Sequence, residues 1–317
     1  MFVPDKKLIS FVIPCFNEED VIQYALQRIT NVINTLDKYN WEVIFIDDGS
    51  IDRTRAVIQS YIQINEKFKL IGFSRNFGHQ CAVQAGLDYA NGDAIIIIDA
   101  DLQDPPELAS EMLVKWQKGY HVIYGKRHTR LADSFFKRIT AALYYRILSL
   151  LSEISIPCDV GDFRLIDRKV VDAINKMPEK GRFIRGLVSW AGFRQTHITY
   201  TREARIAGKT KYSLRRMIAF ALEGITSFSL RPLRIATYIG VFSSALSTLG
   251  ILYVLLIRLF TNSWVQGWAT LALITLFSSS VQLICLGILG EYIGKIYTES
   301  KRRPLYFVDE LNGFNDM

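Results

Sequence analysis

Asp99 and Asp101 are separated by a single residue and follow four consecutive isoleucines, Ile95 to Ile98. In an extended segment, residues i and i+2 point to the same side, so this spacing predicts two carboxylates converging on one cation. Hard oxygen donors of this kind favour Mg²⁺ or Mn²⁺, ions that also take substrate phosphates as ligands. A lone D-x-D occurs in many loops. Here the apolar run before it and Leu102-Gln103-Asp104-Pro105-Pro106 after it make the pattern more specific.

Four other short apolar runs end in the same manner. The five runs begin at residues 8, 41, 68, 94 and 121, and are followed by Asn17-Glu18, Asp47-Asp48-Gly49-Ser50, Ser74-Arg75-Asn76, Asp99-Ala100-Asp101 and Lys126-Arg127. The stretches between them carry helical spacing, as in Val21, Ala25, Ile29 and Val32. This alternation predicts an α/β domain with a parallel sheet. Such sheets bind ligands beyond the carboxyl ends of their strands, where these polar residues fall. Asp47 and Asp48 repel phosphate and suit hydrogen bonds from a base or ribose. Neither a G-x-G-x-x-G fingerprint nor a G-x-x-x-x-G-K-[ST] loop follows the first run, which argues against dinucleotide-dependent hydride transfer and ATP hydrolysis.

The chain has 317 residues, about two structural units by length, and its 38 Lys+Arg against 31 Asp+Glu give a net charge of +7. Four widely spaced cysteines form no C-x-x-C pair, so neither a zinc site nor a disulfide framework is expected. Residues 235–257 and 269–290 contain no charged side chain. Each stretch is long enough to cross a hydrocarbon core of about 30 Å. Basic residues precede the first (Arg231, Arg234) and follow the second (Lys295, Lys301, Arg302, Arg303), which by the positive-inside rule puts both ends in the cytoplasm. The opening run LISFVIPCF contains Pro14 and leads into acidic residues, and is read as a strand rather than a cleaved signal. Basic residues gather around the apolar spans instead of forming a base-stacking face, so nucleic acid is not an expected partner.

The segments VIPCFNEE, FIDDGSIDRT, SRNFGHQCAVQAGLDYANGD, DADLQDPPE, VGDFRL, REARIAGKTKYS, EGITSFS and GEYIGKIY occur in this order over nearly the whole chain. In them the chain resembles family-2 glycosyltransferases of the GT-A fold, specifically the bacterial polyisoprenyl-phosphate glycosyltransferases of the GtrB type, to which dolichol-phosphate mannose synthases are related. The resemblance implies a Rossmann-like, mostly parallel sheet at residues 1–212, with an interfacial amphipathic helix near 131–154. A juxtamembrane element at 213–234, a transmembrane hairpin at 235–291 and a cytoplasmic tail at 292–317 follow. The 131–154 stretch, with apolar and basic residues interleaved, reads equally as an interfacial helix or a core-packing one.

The resemblance also implies an inverting transfer of sugar from a nucleotide diphosphate sugar, UDP-glucose foremost, to undecaprenyl phosphate. By position, Pro14, Asn17, Glu18, Asp47, Asp48 and Asp99 resemble the nucleotide-sugar site, with Arg205, Lys209 and Lys211 on a loop that closes on the diphosphate. Asp99, Asp101 and Gln103 resemble the metal site, and Asp101 and Asp162 the catalytic carboxylates. A phosphate monoester with a second pKa near 6 needs little help from a base, so Asp162 is expected either to act as base or to orient the reactants. Arg127, Lys137, Arg138 and Arg164 are the expected cations for the acceptor phosphate.

GDP-mannose or a modified pentose as donor, and a non-catalytic accessory that binds lipid or sugar nucleotide, remain alternatives. Processive polysaccharide synthesis is disfavoured because Q-x-x-R-W is absent, residues 185–190 reading RGLVSW. The resemblance further implies a homotetramer in the bacterial inner membrane, a separate flippase, and a downstream glycosyltransferase for O-antigen or envelope glycosylation.

Overall fold

The computed structural model describes residues 6–128, 160–203, 229–260 and 267–314. The expected interfacial helix at 131–154, most of the juxtamembrane element, and Lys137, Arg138, Arg205, Lys209 and Lys211 lie outside the described residues. The described residues fall into two compact units, one holding 6–128, 160–203 and 303–314, the other 229–302.

In the first unit, strands β1 (Leu8–Cys15), β2 (Asn40–Asp47), β3 (Phe68–Phe73), β4 (Ala94–Ile97) and β5 (Val122–Arg127) begin at or within a residue of the apolar runs. Between them lie helices α1 (Ile22–Ile33), α2 (Thr54–Ile62), α3 (His79–Tyr89) and α4 (Ala109–Gln117). Helix α1 shows why the spacing is legible. Its buried residues Ile22, Ala25, Leu26, Ile29, Val32 and Ile33 form one stripe at three- and four-residue intervals, and only a helix of 3.6 residues per turn gathers them on one face. Both faces of the sheet are covered, so the strands are nearly continuous apolar runs, with Ile9, Phe11, Ile13, Phe45, Ile96 and Phe163 wholly buried.

Strand β6 (Val160–Asp167) leads into α5 (Arg168–Asn175), whose first turn is capped by the Asp167 side chain accepting from the Lys169 backbone N–H. Helix α6 (Ile184–Trp190) and strand β7 (Gln195–Tyr200) follow. The last strand, β8 (Val308–Asn312), comes after both long apolar helices in sequence. The sheet order is β7-β5-β6-β4-β1-β2-β3-β8.

Strands β1 to β5 all run in one direction, as expected for the first 125 residues, and the sheet becomes mixed only through β6 and β8, which lie beyond them. Strand β6 is antiparallel to both β4 and β5, β8 is antiparallel to β3, and the other pairings are parallel. Two consequences bear on function. Strand order reverses at β1, which has β2 on one side and β4 on the other, creating the crevice where α/β sheets bind ligands. The antiparallel β6 also brings its own beginning, rather than its end, to that same edge. Residues that the sequence reading assigned to a tail, 308–312, complete the sheet instead.

In the second unit, α7 (Arg231–Phe260) and α8 (Trp268–Ser300) are 30 and 33 residues long. At 1.5 Å per residue either exceeds the thickness of a hydrocarbon core. Their apolar side chains, among them Phe242, Leu249, Tyr253, Phe277 and Leu283, are more than half exposed, unlike those of a buried core helix. Both helices thus have the length and outward-facing apolar surface of membrane spans. The stretches 235–257 and 269–290 lie within them, and α8 runs on through Glu291, Lys295 and Glu299.

Candidate active site

Five parallel strand ends and the start of β6 meet at the crevice. The β4–β6 register pairs Ile97 with Arg164, so the two antiparallel strands bring Asp99 and Asp162 to the same place from opposite directions. Beyond Ile97 the chain is no longer extended. The Leu102 N–H bonds the Asp99 carbonyl, Leu102 takes φ 46°, and the Gln103 N–H donates to Asp101 Oδ1 at 3.2 Å. Asp99 and Asp101 are therefore brought together by a turn, and not by strand alternation as their spacing suggested.

Asp162 is heavily bound. Arg185 of α6 donates to it through Nε and a terminal nitrogen at 2.8 and 3.1 Å, His79 Nε2 lies 3.2 Å away, and Gln80 Nε2 3.4 Å. Burial alone would raise its pKa, but Arg185 and His79 outweigh burial and hold it well below the usual carboxylate range. His79 shows the mirror effect. Burial pulls it down, yet Asp162 and Asp99 raise it to about 9, which makes it a cation at neutral pH.

Asp99 is different. Its Oδ1 is buried without a hydrogen-bond partner, 3.6 Å from His79 Nε2. Burial pushes its pKa up to about 6; His79 opposes this, and Asp162, Asp101 and Asp104 add to it. An orphaned carboxylate oxygen in a field of neighbouring acids suits a divalent cation. Among the described residues no three His, Cys, Asp or Glu side chains gather as a complete cage. A two-carboxylate site completed by substrate phosphates is the usual manner of binding Mg²⁺. Gln103 is buried and sends its amide nitrogen to the Glu203 carbonyl at 3.5 Å, tying the D-x-D turn to the segment after β7.

Asp47 and Asp48 are buried, and protein groups bind both. Asp47 accepts from Arg55 Nε at 2.7 Å and the Ser50 N–H at 3.1 Å. Asp48 accepts from the Phe77 N–H at 2.6 Å and the Gly78 N–H at 3.0 Å, so it shapes the loop entering α3. Gly49 (φ 70°) makes this possible, because a Cβ there would sit 2.5 Å from the Arg75 backbone. Pro14 lies in β1 opposite Ile46. Asn17, at φ 52°, bonds the β2 loop in both directions, its N–H donating to Ser50 Oγ and its Oδ1 accepting from the Ile51 N–H, both at 2.9 Å. The Glu18 N–H donates to Thr54 Oγ1 at 2.8 Å.

Of the expected acceptor cations, Arg164 is buried and donates to the carbonyls of Gly161 and Asp162 at 2.9 and 3.3 Å. Burial lowers its pKa to about 10, still leaving it charged. Arg127 lies against Gly161, where a Cβ would come within 2.7 Å of its guanidinium. It is steered by Asp104 at 3.5 Å and the Tyr200 hydroxyl at 3.4 Å, and Tyr200 donates a short hydrogen bond to Asp104. Sequence reasoning missed Arg185, His79, Asp104 and Tyr200. His79 lies in the segment SRNFGHQ and Arg185 in RGLVSW, and nothing local to either marks its partner.

Residues 10–174 match the family model for glycosyl transferase family 2, and residues 231–296 match the GtrB C-terminal hairpin. The chain is 49% identical over 307 residues to the uncharacterized glycosyltransferase YkcC of Bacillus subtilis, covering 97% of this chain and 95% of that protein. It is 42% identical over 300 residues to the bactoprenol glucosyl transferase of Shigella phage SfV, covering 95% and 97%. Among solved structures, the mannosyltransferase PcManGT of Pyrobaculum calidifontis, in complex with GDP-Man and Mn²⁺, aligns with a TM-score of 0.50 at 17% identity, over 71% of this chain and 64% of that one. That likeness concerns the fold alone.

Proposed function

Because the chain belongs to glycosyl transferase family 2 and carries the GtrB C-terminal hairpin, we propose that it transfers glucose from UDP-glucose to undecaprenyl phosphate, with inversion at the anomeric carbon. The observation that carries this reading is similarity to a bactoprenol glucosyl transferase along 95% of the chain, hairpin included. The second unit suits an acceptor whose tail stays in the bilayer. The cation excess flanking the two spans favours a cytoplasmic catalytic unit.

In this reading the crevice at β1 and β4 receives the donor, with its nucleoside toward the β1 and β2 ends and its diphosphate toward Asp99 and Asp101. Those two carboxylates, with Gln103 beside them, would hold a Mg²⁺ or Mn²⁺, which would supply positive charge against the charge developing on the departing diphosphate. An acceptor phosphate oxygen forms the new bond to the anomeric carbon as the bond to the diphosphate breaks, so no proton need be removed from a nucleophile that is already largely dianionic. Asp162, gripped by Arg185 and His79, suits orienting the reactants better than taking a proton. Arg127 and Arg164 lie near it as cations for the acceptor phosphate, a role also proposed for Lys137 and Arg138, while Arg205, Lys209 and Lys211 are proposed to close on the diphosphate.

The test is product formation by purified protein in detergent, with undecaprenyl phosphate, Mg²⁺ or Mn²⁺ and a panel of labelled nucleotide sugars. Lipid-linked label from UDP-glucose, lost with EDTA and in Asp101→Asn, is the expected result. Label from another donor alone would move the sugar assignment, and none from any donor would overturn the enzymatic reading.

A further inference from the structure

Both family matches stop before residue 303, yet the residues that follow return to the sheet. Strand β8 covers the edge of β3, and the bond from the Ser74 N–H to the Phe307 carbonyl at 3.1 Å carries the pairing to the point where β3 gives way to the site loop. The contacts then concentrate at the ligand end of the strand. Tyr306 stacks on Phe73 with centroids 4.9 Å apart and planes within 15°, and Phe307 packs on Phe77 at 6.1 Å. Phe77 in turn meets Phe73 edge-on at 5.7 Å and lies under the Arg75 guanidinium at 4.1 Å. These are the separations at which aromatic pairs attract beyond simple burial.

Phe77 is also the residue whose N–H binds Asp48, and the next N–H, from Gly78, does the same just before His79 opens α3. The Asp48-Gly49 turn lies directly on Arg75, with no room for a Cβ between them. Displacement of the aromatic ring at 77 therefore passes to Asp48 and to the start of α3. A second link runs through Arg55, which holds Asp47 at 2.7 Å and the Phe73 carbonyl at 2.9 Å while donating to Asp309 at 3.1 Å. Glu310 receives Gln59 at 2.7 Å from the same helix.

We propose that Tyr306, Phe307 and Asp309 are positioning residues for the nucleotide of the donor: the segment beyond the apolar hairpin buttresses the loop and the arginine that hold Asp48 and Asp47 in place. This rests on the donor reading given above. The aromatic contacts dominate, because Asp309 is 58% exposed at its side chain and exposed ion pairs contribute little. The segment acts on the nucleoside half of the crevice and leaves Asp162, Arg185 and Arg127 untouched, so its loss reads out on donor affinity and not on acceptor affinity.

The experiment uses the full-length protein with Tyr306→Ala, Tyr306→Phe and the double variant Asp309→Asn/Glu310→Gln. Steady-state constants are measured with UDP-glucose and undecaprenyl phosphate, and binding of UDP and of GDP is measured by calorimetry without acceptor. The expected result for Tyr306→Ala is a KM for UDP-glucose raised about tenfold (about 1.4 kcal/mol), with kcat and the acceptor KM within about twofold. Tyr306→Phe, which keeps the stack but loses the hydroxyl bond to Asp88, is expected to restore the donor KM; the double variant raises it about twofold. An unchanged donor KM in folded Tyr306→Ala, or equal changes in both substrates' KM values, would overturn the proposal. Should Tyr306→Ala not fold, an unchanged donor KM in the double variant would do so. If wild-type protein turns over no donor, the transferase reading fails, while nucleotide affinity in the calorimeter still decides the positioning role.

Discussion

Arg185 grips Asp162 through both carboxylate oxygens, at 2.8 and 3.1 Å, from a helix that lies beyond the strand carrying its partner. This bidentate pair is 12% exposed on the aspartate and 27% on the arginine. Removing Arg185 leaves the largely buried Asp162 charge with His79 as its remaining cationic neighbour. Arg185→Ala is expected to lower the unfolding free energy by about 3 kcal/mol and turnover by roughly 100-fold. Arg185→Lys recovers only part of either, because an ammonium has no planar fork. Chemical denaturation and lipid-linked product formation check both.

Asp99 has a buried oxygen with no partner, which makes metal binding a measurable stability term. Mn²⁺ at about 100 times its dissociation constant is expected to stabilise the folded protein by about 2.7 kcal/mol. In Asp99→Asn that gain shrinks to a small fraction. Thermal unfolding with and without Mn²⁺ and EDTA reads it directly, and equal gains in wild type and variant would contradict the assignment.

His79 titrates in the opposite sense from a buried neutral histidine. Its folded pKa of about 9 lies above the ordinary value of 6.5. Its contribution to stability is therefore fully present below about pH 6.5 and is lost as pH rises through about 9. With 38% of the side chain exposed, solvent screening reduces the size of this contribution. Urea unfolding in EDTA from pH 6 to 10 is expected to show a decline that is shallower in His79→Gln.

Gly49 leaves no space for a side chain and holds a positive φ. Gly49→Ala is expected to cost about 1–3 kcal/mol from backbone strain, and to raise the donor KM by pushing Arg75 and the Phe77 loop off Asp48. Gly78 also has a positive φ, 102°, but open space around it. Gly78→Ala therefore pays for the backbone alone, so at matched stability the donor KM rises more in Gly49→Ala.

The apolar runs, their helical intervals and the acidic or polar residues closing each run are local properties, and they determined by themselves the α/β class, five strands and the ligand-binding edge. The two long uncharged stretches were equally legible, since length and composition alone mark a candidate span. Tertiary structure decided what depends on strands meeting out of sequence order. The antiparallel insertion of β6 between β4 and β5 brings Asp162 to Asp99, and no local pattern encodes that choice of neighbour. The same holds for Arg185 and His79, which reach Asp162 from separate helices across 23 and 83 residues. It holds for β8, whose register with β3 is set by a surface that exists only after the sheet has formed. Asp47 and Asp48 show the remaining limit: their identity announced a site, but a carboxylate's partner is settled by which donors the fold places within 3 Å, here Arg55 for one and the Phe77 and Gly78 amides for the other.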